Sequence, residues 1–163
     1  MAPANVKLIN EPRDFKDHEL FFSLTDKKAI IKYGNHVFWR VAAYEETELF
    51  DKPHNTIRHP DMPRAAFKIV WDKLLSDQHV FAYVKNLAKD GRYYWVIAAI
   101  LPTQNGYLSI LIKPSSDLFD KIPEIYSQIR KKELAIEEKD SRKRKEAISE
   151  GIKELQEILS QLG

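Results

Sequence analysis

The 163-residue sequence predicts an α+β fold, in which a five-stranded antiparallel sheet carries short helices on one face. Two β-type runs come first, short helical segments follow, and three β-type runs end the domain, without the strand–helix alternation of a parallel sheet. Asp90-Gly91 and Asn105-Gly106 separate the last three runs, and such dipeptides between β-rich segments are strong hairpin signals. A sheet with helices on one face leaves space between the layers, where we expect a ligand pocket.

The composition excludes several classes of protein. The hydrophobic fraction of 44% is sufficient for a core, and a net charge of +2 does not indicate a nucleic-acid partner. The absence of cysteine excludes disulfides, thiolate metal sites and cysteine nucleophiles. The N-terminus has no run of signal-peptide character, and no segment approaches the roughly 20 apolar residues of a membrane span. We therefore expect a cytoplasmic protein without direct membrane insertion.

The first part of the chain predicts a leader, a hairpin and two short helices. Residues 1–19 are polar and mixed, which is typical of a leader or cap. Two β-type runs within 21–33 join at residues 26–28 and predict a hairpin. Asn35 is a candidate N-cap for the helix that follows, and residues 45–50 predict a second short helix.

The segment Pro53–Pro63, "PHNTIRHPDMP", predicts an irregular loop. Its three prolines disfavour both helix and strand, and two histidines, an arginine and an aspartate lie among them. Residues 62–78 then predict a helix, with Asp61 as its cap and Pro63 in the first turn. One apolar face of that helix has helical spacing: Phe67, Val70, Trp71, Leu74 and Leu75.

The C-terminal part predicts three strands in an antiparallel meander, followed by helix to the end. From residue 118 the sequence is highly charged and helical. Five apolar residues repeat with heptad spacing and predict coiled-coil character: Ile148, Ile152, Leu155, Leu159 and Leu162. We therefore divide the chain into a leader at 1–19, a domain at 20–115 and a C-terminal amphipathic or coiled-coil helix at 116–163.

The element order and the sequence of several segments resemble PAS domains. "FFSLTD", "GNHVFWRVAAYEETELFDKPHNTIRHPDMPRAAFKIVWDKL", "VKNLAKDGRYYWVIAAILP" and "GYLSILIKPS" resemble the flavin-binding PAS domains of Aer-type energy-taxis receptors. The resemblance covers residues 21–127. The run "PHNTIRHPDMP…F…W", followed by "VKN…DG.YYWV", is long and specific.

This resemblance implies an FAD-binding redox sensor that is not an enzyme, without catalytic or metal-binding residues. The family positions for FAD binding correspond to Asn35, Arg58, His59, Asp61, Trp71, Asn86 and the pair Tyr94/Trp95. Neighbouring residues in a strand point to opposite faces, so only one of that pair can face the pocket. We expect it to be Trp95.

Each of these residues also has a structural interpretation. Arg58 has a planar fork of donors suited to a pyrophosphate or carboxylate, but it can equally pair with Asp61. His59 can bond a flavin edge, ligate a haem iron or hold its own loop. Trp71 is an ordinary core residue unless it packs along the cofactor, and Asn35 is a helix cap.

The resemblance also implies partners. Aer-type receptors carry a membrane anchor and a HAMP-like region, which this sequence lacks. The chain is therefore similar to free-standing PAS proteins of the CetA/CetB kind, which report to a separate membrane-bound chemotaxis-type transducer, or it is a fragment. A homodimer through the sheet or the C-terminal helix is a further expectation.

Three other functions remain open at this stage. The first is a haem PAS domain that senses oxygen or another gas, with a pocket histidine as axial ligand. The second is a cofactor-free dimerisation or interaction module. A flavoenzyme ranks last, because no nucleophile or acid–base pair stands out.

Overall fold

The computed structural model describes residues 6–162, and its centre is one antiparallel sheet. The strands are β1 Phe21–Asp26, β2 Ile31–Gly34, β3 Val80–Leu87, β4 Tyr93–Pro102 and β5 Gly106–Ile112. Their order across the sheet is β2-β1-β5-β4-β3, with antiparallel pairing between all neighbours. The predicted α+β fold with a five-stranded antiparallel sheet is confirmed.

The hairpin turns lie where the sequence predicts them. β1 and β2 join around Asp26, β3 and β4 around Gly91, and β4 and β5 just before Gly106. Gly91 has a φ of +92°, and a Cβ there would lie 2.1 Å from the carbonyl oxygen of Lys7. Glycine at this turn therefore satisfies both the left-handed backbone and the close approach of the N-terminal segment.

Two short helices follow the first hairpin. Asn35 caps α1 (His36–Ala42), since its side-chain oxygen accepts from the Phe38 amide at 3.1 Å, as predicted. The helix α2 (Glu46–Leu49) comes next. Much of the predicted loop is irregular, and it contains a short 3-10 turn at His54–Ile57.

The helix α3 runs over Arg64–Leu75, and its capping differs from the prediction. Pro63 occupies the N-cap position, and Asp61 makes no cap hydrogen bond, so the expected Asp61 cap is wrong. The acceptor is Glu133, whose carboxylate oxygens take the backbone N–H groups of Arg64 at 2.9 Å and Ala65 at 2.8 Å. A cap supplied from 69 residues away leaves no local sequence signal.

The C-terminal part forms two helices, where the sequence predicts continuous helix. α4 covers Ile122–Lys139, α5 covers Arg144–Gln161, and the chain turns at Asp140. Asp140 has extended backbone and its side chain accepts from the Arg142 amide, which ends one helix and starts the next. α5 packs against α4 and α3, so part of the predicted heptad seam lies within this chain's own core, as at Leu155.

The N-terminal segment extends the sheet locally. β5 pairs with β4 only from Ile97 onward, which leaves the start of β4 without a partner on that side. Ile9 donates to the Gly91 carbonyl at 2.8 Å and Arg13 to the Tyr93 carbonyl at 2.7 Å, so this segment occupies the gap. Phe15 then packs edge-on against Phe21, with ring centroids 5.3 Å apart.

The main core lies between the sheet and helices α1 to α3. Its largest fully buried side chains include Phe21, Phe38, Leu49 and Tyr94. The opposite face of the sheet is covered in part by the start of α4, where Tyr126 packs on Trp95. Among residues 6–162, no helix has the length and apolar character needed to cross a membrane.

Candidate functional site

A cavity of about 340 Å³ lies between α3, the 3-10 turn and the sheet. This volume is at the small end of the roughly 300–1,000 Å³ range of ligand pockets. Its wall combines the inner face of α3 with inward-facing residues of β1, β3, β4 and β5. The space therefore matches the pocket that the fold class predicts between sheet and helices.

Most of the wall is apolar. From α3 come four side chains of the predicted apolar face, while Leu75, its fifth member, is exposed. Trp71 meets the ring of Tyr107 edge-on at 5.5 Å. From α3 and the strands, the apolar lining residues are Phe67, Val70, Trp71, Leu74, Val84, Ala98, Ile100 and Leu111. A wall of this kind suits a planar, largely apolar ring system.

A few polar side chains interrupt the apolar wall. Asn86 is only 3% exposed and faces the cavity from β3, and Ser109 and Thr25 line it from β5 and β1. Sequence reasoning did not select Ser109 or Thr25. The sequence does contain a signal for them. Buried and more exposed residues alternate along β1 and β5, and both polar residues stand at buried positions, where an apolar residue is usual.

His54 is a further wall residue that was absent from the predicted set. Its Nε2 lies 3.1 Å from the Ser23 hydroxyl oxygen, and its ring lies near that of Phe38. Removal of the ring from solvent lowers the pKa of His54 to about 4. The imidazole is therefore neutral at pH 7 and has both a donor and an acceptor nitrogen.

Arg58 brings a positive charge to the cavity. Its Nη2 donates to the Met62 carbonyl at 3.0 Å, and its guanidinium lies 4.3 Å from the ring centroid of Phe67. Burial, together with the nearby cations Arg64 and Arg130, lowers the pKa of Arg58 to about 10, so it stays charged at neutral pH. Within residues 6–162, no carboxylate forms an ion pair with it, so the alternative in which Arg58 pairs with Asp61 is not what the structure has.

His59 and Asp61 lie outside the cavity wall. His59 is 4% exposed, and its Nδ1 accepts from the Asp61 amide at 3.1 Å. Asp61 forms an ion pair with Lys85 at 2.7 Å. Burial and the Lys85 charge lower the pKa of His59 to about 4. This geometry corresponds to the structural interpretation, in which the histidine holds its own loop.

Asn35 is fully engaged at the start of α1. Its Oδ1 accepts from the Phe38 and Phe22 amides, and its Nδ2 donates to the Leu20 carbonyl at 3.2 Å. These bonds join α1 to β1 and place the side chain away from the cavity wall.

The orientation expected for Trp95 is wrong. Asn86 pairs with Tyr94 in the sheet register, so Tyr94 shares the inward face and is 1% exposed. Trp95 points to the opposite face, where it meets Phe119 at 5.6 Å. Alternation shows that the two rings point apart, but it does not show which one faces the helices.

A second cavity, of about 610 Å³, lies on that opposite face. Aromatic rings line it, including Trp95 and Tyr126, together with Lys85 and Arg130. Lys85 is paired with Asp61, while Arg130 bonds to the Pro60 carbonyl and to Glu133, so both charges are already compensated. The sites predicted from the sequence are thus divided, with Arg58, Trp71 and Asn86 at the first cavity.

Residues 31–111 match the family described as the PAS fold. The chain belongs to the PAS family. It is 34% identical over an alignment of 118 residues to the aerotaxis receptor of Escherichia coli (strain K12), and the match covers 69% of this chain and 23% of the receptor. It is 32% identical over 83 residues to the nitrogen fixation regulatory protein of Klebsiella pneumoniae, covering 51% of this chain and 17% of that protein. The resemblance to Aer-type receptors is therefore confirmed. The chain spans less than a quarter of the length of these curated relatives.

Solved structures support the same fold. A light-oxygen-voltage domain studied with a flavin analogue has a TM-score of 0.58 at 19% identity, covering 65% of this chain and 85% of its own. The blue-light activated histidine kinase of Erythrobacter litoralis EL346 has a TM-score of 0.55 at 11% identity, covering 72% and 41%. At these identities the likeness shows the fold alone.

Proposed function

We propose that this PAS domain is a sensor that binds FAD in the cavity between α3 and the sheet and signals redox or energy state. The observation that carries the proposal is that Arg58 in the loop before α3, Trp71 on α3 and Asn86 on β3 all line one cavity. The resemblance to Aer-type flavin-binding domains includes these three among the positions that it assigns to FAD binding. The relationship to the aerotaxis receptor supports a role in aerotaxis or energy taxis.

The residues of the wall fit a flavin. Asn86, Ser109 and the neutral His54 offer donors and acceptors to a heterocycle edge, while Trp71 and Phe67 offer apolar surface. Arg58 is an uncompensated cation suited to a phosphate or to a ring with negative charge. The volume suits the ring system, so we expect the rest of the dinucleotide to lie outside the enclosed space.

The electron chemistry would be supplied by FAD, and the chain would bind, orient and respond. The Asn86 amide can both donate and accept, so it can follow a change of protonation at the ring edge. One such hydrogen bond is worth about 0.5–1.5 kcal/mol net. That is enough to tilt an element whose two states differ by a few kcal/mol, but not to drive a large rearrangement alone.

The haem alternative has less support from the wall residues. His54 is the histidine that lines the cavity, and its Nε2 already bonds to the Ser23 hydroxyl. Coordination of an iron through Nε2 would break that bond. A flavin, in contrast, can bind while His54 stays neutral and keeps its contact with Ser23.

The first test is an absorption spectrum of the purified chain, followed by chromatography of the compound that heat or acid releases. We expect a two-band flavin spectrum and released FAD. Arg58→Met should weaken FAD binding at least about tenfold and so lower the flavin content, since a bond to a charged group contributes about 1.5–3 kcal/mol. Lys85→Met, on the other face of the sheet, is the matched control and should keep it. A haem spectrum, or a protein that stays colourless with added FAD, would overturn the proposal.

We also propose, from the Aer relationship alone, that the partner is a membrane-bound chemotaxis-type transducer with a HAMP-like region. The chain would then act in the cytoplasm at the inner membrane through that partner. Site-directed cross-linking in cells that express such a transducer tests this proposal. Cross-links confined to pairs of this chain would point to a homodimer without a transducer.

A further inference from the structure

Glu133 on α4 is a buried carboxylate that holds the start of α3. Its side chain is 0% exposed, and it accepts from the backbone N–H groups of Arg64 at 2.9 Å and Ala65 at 2.8 Å. Arg130 adds a third donor at 3.1 Å. The first N–H groups of a helix lack partners within the helix, and bonds to an ionised acceptor are the strong ones. α4 is therefore fastened to the first turn of α3.

Gly151 brings α5 to the same point. A Cβ at this position would lie 2.9 Å from the Ala65 Cβ, 3.1 Å from the Glu133 Oε1 and 3.2 Å from the Ile129 Cγ2. Such distances leave no room for a methyl group unless the helices move apart. The helices α3, α4 and α5 thus meet around Glu133. We call this group of residues the Glu133 junction (Arg64, Ala65, Arg130, Glu133 and Gly151).

The helix held by this junction also forms the cavity wall. Phe67 and Trp71 project into the cavity from α3, one and two turns after the Glu133 contacts. Arg58 is tied to the same region by its bond to the Met62 carbonyl, just before the helix begins. One 12-residue helix therefore links the cavity to the pair α4 and α5.

We infer that Glu133 is a positioning residue that couples the cavity to the helix pair α4–α5 through α3. Occupancy of the cavity stabilises one position of α3, and the junction passes that preference to α5. By thermodynamic reciprocity, attachment of α5 favours the same cavity geometry and strengthens ligand binding. The inference rests on the proposed function in one respect, because FAD is the ligand used to test it.

The test measures FAD affinity and hydrogen exchange of the full chain, with and without FAD. In the wild type we expect FAD to slow exchange within 144–161. Glu133→Gln should weaken FAD binding about tenfold, within the usual range of coupling between sites, and abolish the protection of α5 by FAD. Glu133→Asp keeps the charge and should restore part of both. Gly151→Ala disturbs the junction without a charge change and should act like Glu133→Gln.

Glu154→Gln is the matched control, because Glu154 pairs with Lys132 at 2.8 Å and so joins α5 to α4 rather than to the first turn of α3. It should leave FAD affinity and FAD-dependent protection unchanged. The inference is overturned if Glu133→Gln and Gly151→Ala speed exchange in α5 yet bind FAD as the wild type does. If Glu133→Gln does not fold, Gly151→Ala and Glu133→Asp decide.

Failure of the proposed function has a different signature. If the wild type binds no FAD, the FAD proposal fails. The coupling through the Glu133 junction is then tested by hydrogen exchange of the ligand-free variants. Coupling then requires faster exchange in the cavity strand at 80–87 when Glu133 is replaced. Faster exchange limited to 64–67 and 144–161 would reduce Glu133 to a local helix cap.

Discussion

The two faces of the sheet each carry a cavity with aromatic and cationic residues. The cations of the two cavities differ in whether a carboxylate pairs with them. On the outer face, Lys85 is paired with Asp61 and Arg130 with Glu133. On the inner face, Arg58 lies against Phe67 and bonds only to a backbone carbonyl among the described contacts of its side chain. The outer cavity is the larger, at about 610 Å³ against about 340 Å³.

The comparison indicates that size alone does not identify a ligand site. Buried polar and charged groups are costly unless they have partners, and most of them have partners within the protein. A partly buried cation without a carboxylate, together with Asn86 at the same wall, leaves interaction capacity for a ligand. The outer cavity has little of this capacity left.

The largest expected effect comes from filling the inner cavity. Ala98 lines its floor and is almost fully buried, while Ala99 points to the outer face. Ala98→Phe should reduce the flavin content to background, whereas Ala99→Phe should leave it unchanged. Absorbance per mole of protein measures this, with circular dichroism as the check on folding. A folded Ala98→Phe protein that keeps its flavin would place the flavin elsewhere.

The next effect concerns pH, and it should separate His54 from His59. Burial lowers the pKa of each from 6.5 to about 4. Above about pH 6.5 neither histidine is protonated in either state; between 6.5 and 4 the unfolded state alone takes up protons. The free energy of unfolding should therefore fall as the pH decreases through this range, by about 1–3 kcal/mol per histidine after allowance for solvent screening.

Of these two histidines, His54 lines the inner cavity and His59 does not, so protonation of His54 should release flavin directly. Denaturant titrations at several pH values measure stability, and flavin fluorescence measures release. His54→Gln should flatten both pH profiles, while His59→Gln should flatten the stability profile alone. Equal effects of the two variants on flavin release would contradict the distinction between His54 inside the cavity wall and His59 outside it.

Much of the fold follows from local signals in the sequence. Asn35 before an amphipathic run is a strong cap signal, and Asp90-Gly91 marks a hairpin because the turn needs a left-handed residue. The inward face of α3 was predictable from helical spacing of Phe67, Val70 and their neighbours. Each of these features depends on residues only a few positions apart.

The candidate site was less predictable, because it depends on long-range contacts. Local sequence does not show that Glu133 caps α3, nor that Asp61 forms its ion pair with Lys85 rather than with Arg58. The choice between Tyr94 and Trp95 depends on the register with β3, which periodicity leaves open. The break at Asp140 sends α5 back onto α3, and heptad spacing alone cannot distinguish that packing from a coiled coil.

A smaller effect is expected for the two tryptophans that lie on opposite faces. Trp71 lines the inner cavity and Trp95 the outer one. Aromatic stacking contributes about 0.5–1.5 kcal/mol beyond burial, so Trp71→Leu should weaken FAD binding roughly 2- to 12-fold. Trp95→Leu should leave FAD binding unchanged, although it loses packing against Phe119. Titration of the apoprotein with FAD gives both values, and a loss of FAD affinity in Trp95→Leu alone would contradict the assignment.

The smallest effect is expected at Asp61, which the family resemblance assigns to FAD binding. Its side chain is 62% exposed, although that of its partner Lys85 is only 13% exposed. Exposed ion pairs contribute about 0–1 kcal/mol, and asparagine keeps an oxygen that can accept from the Lys85 ammonium. Asp61→Asn should therefore lower the free energy of unfolding by less than about 1 kcal/mol, with no change in flavin affinity. Denaturant titration and FAD titration of the same preparation measure both. A tenfold loss of FAD affinity in a protein of unchanged stability would mean that Asp61 acts on the ligand from outside the cavity wall, for example on the part of the dinucleotide that the enclosed space cannot hold.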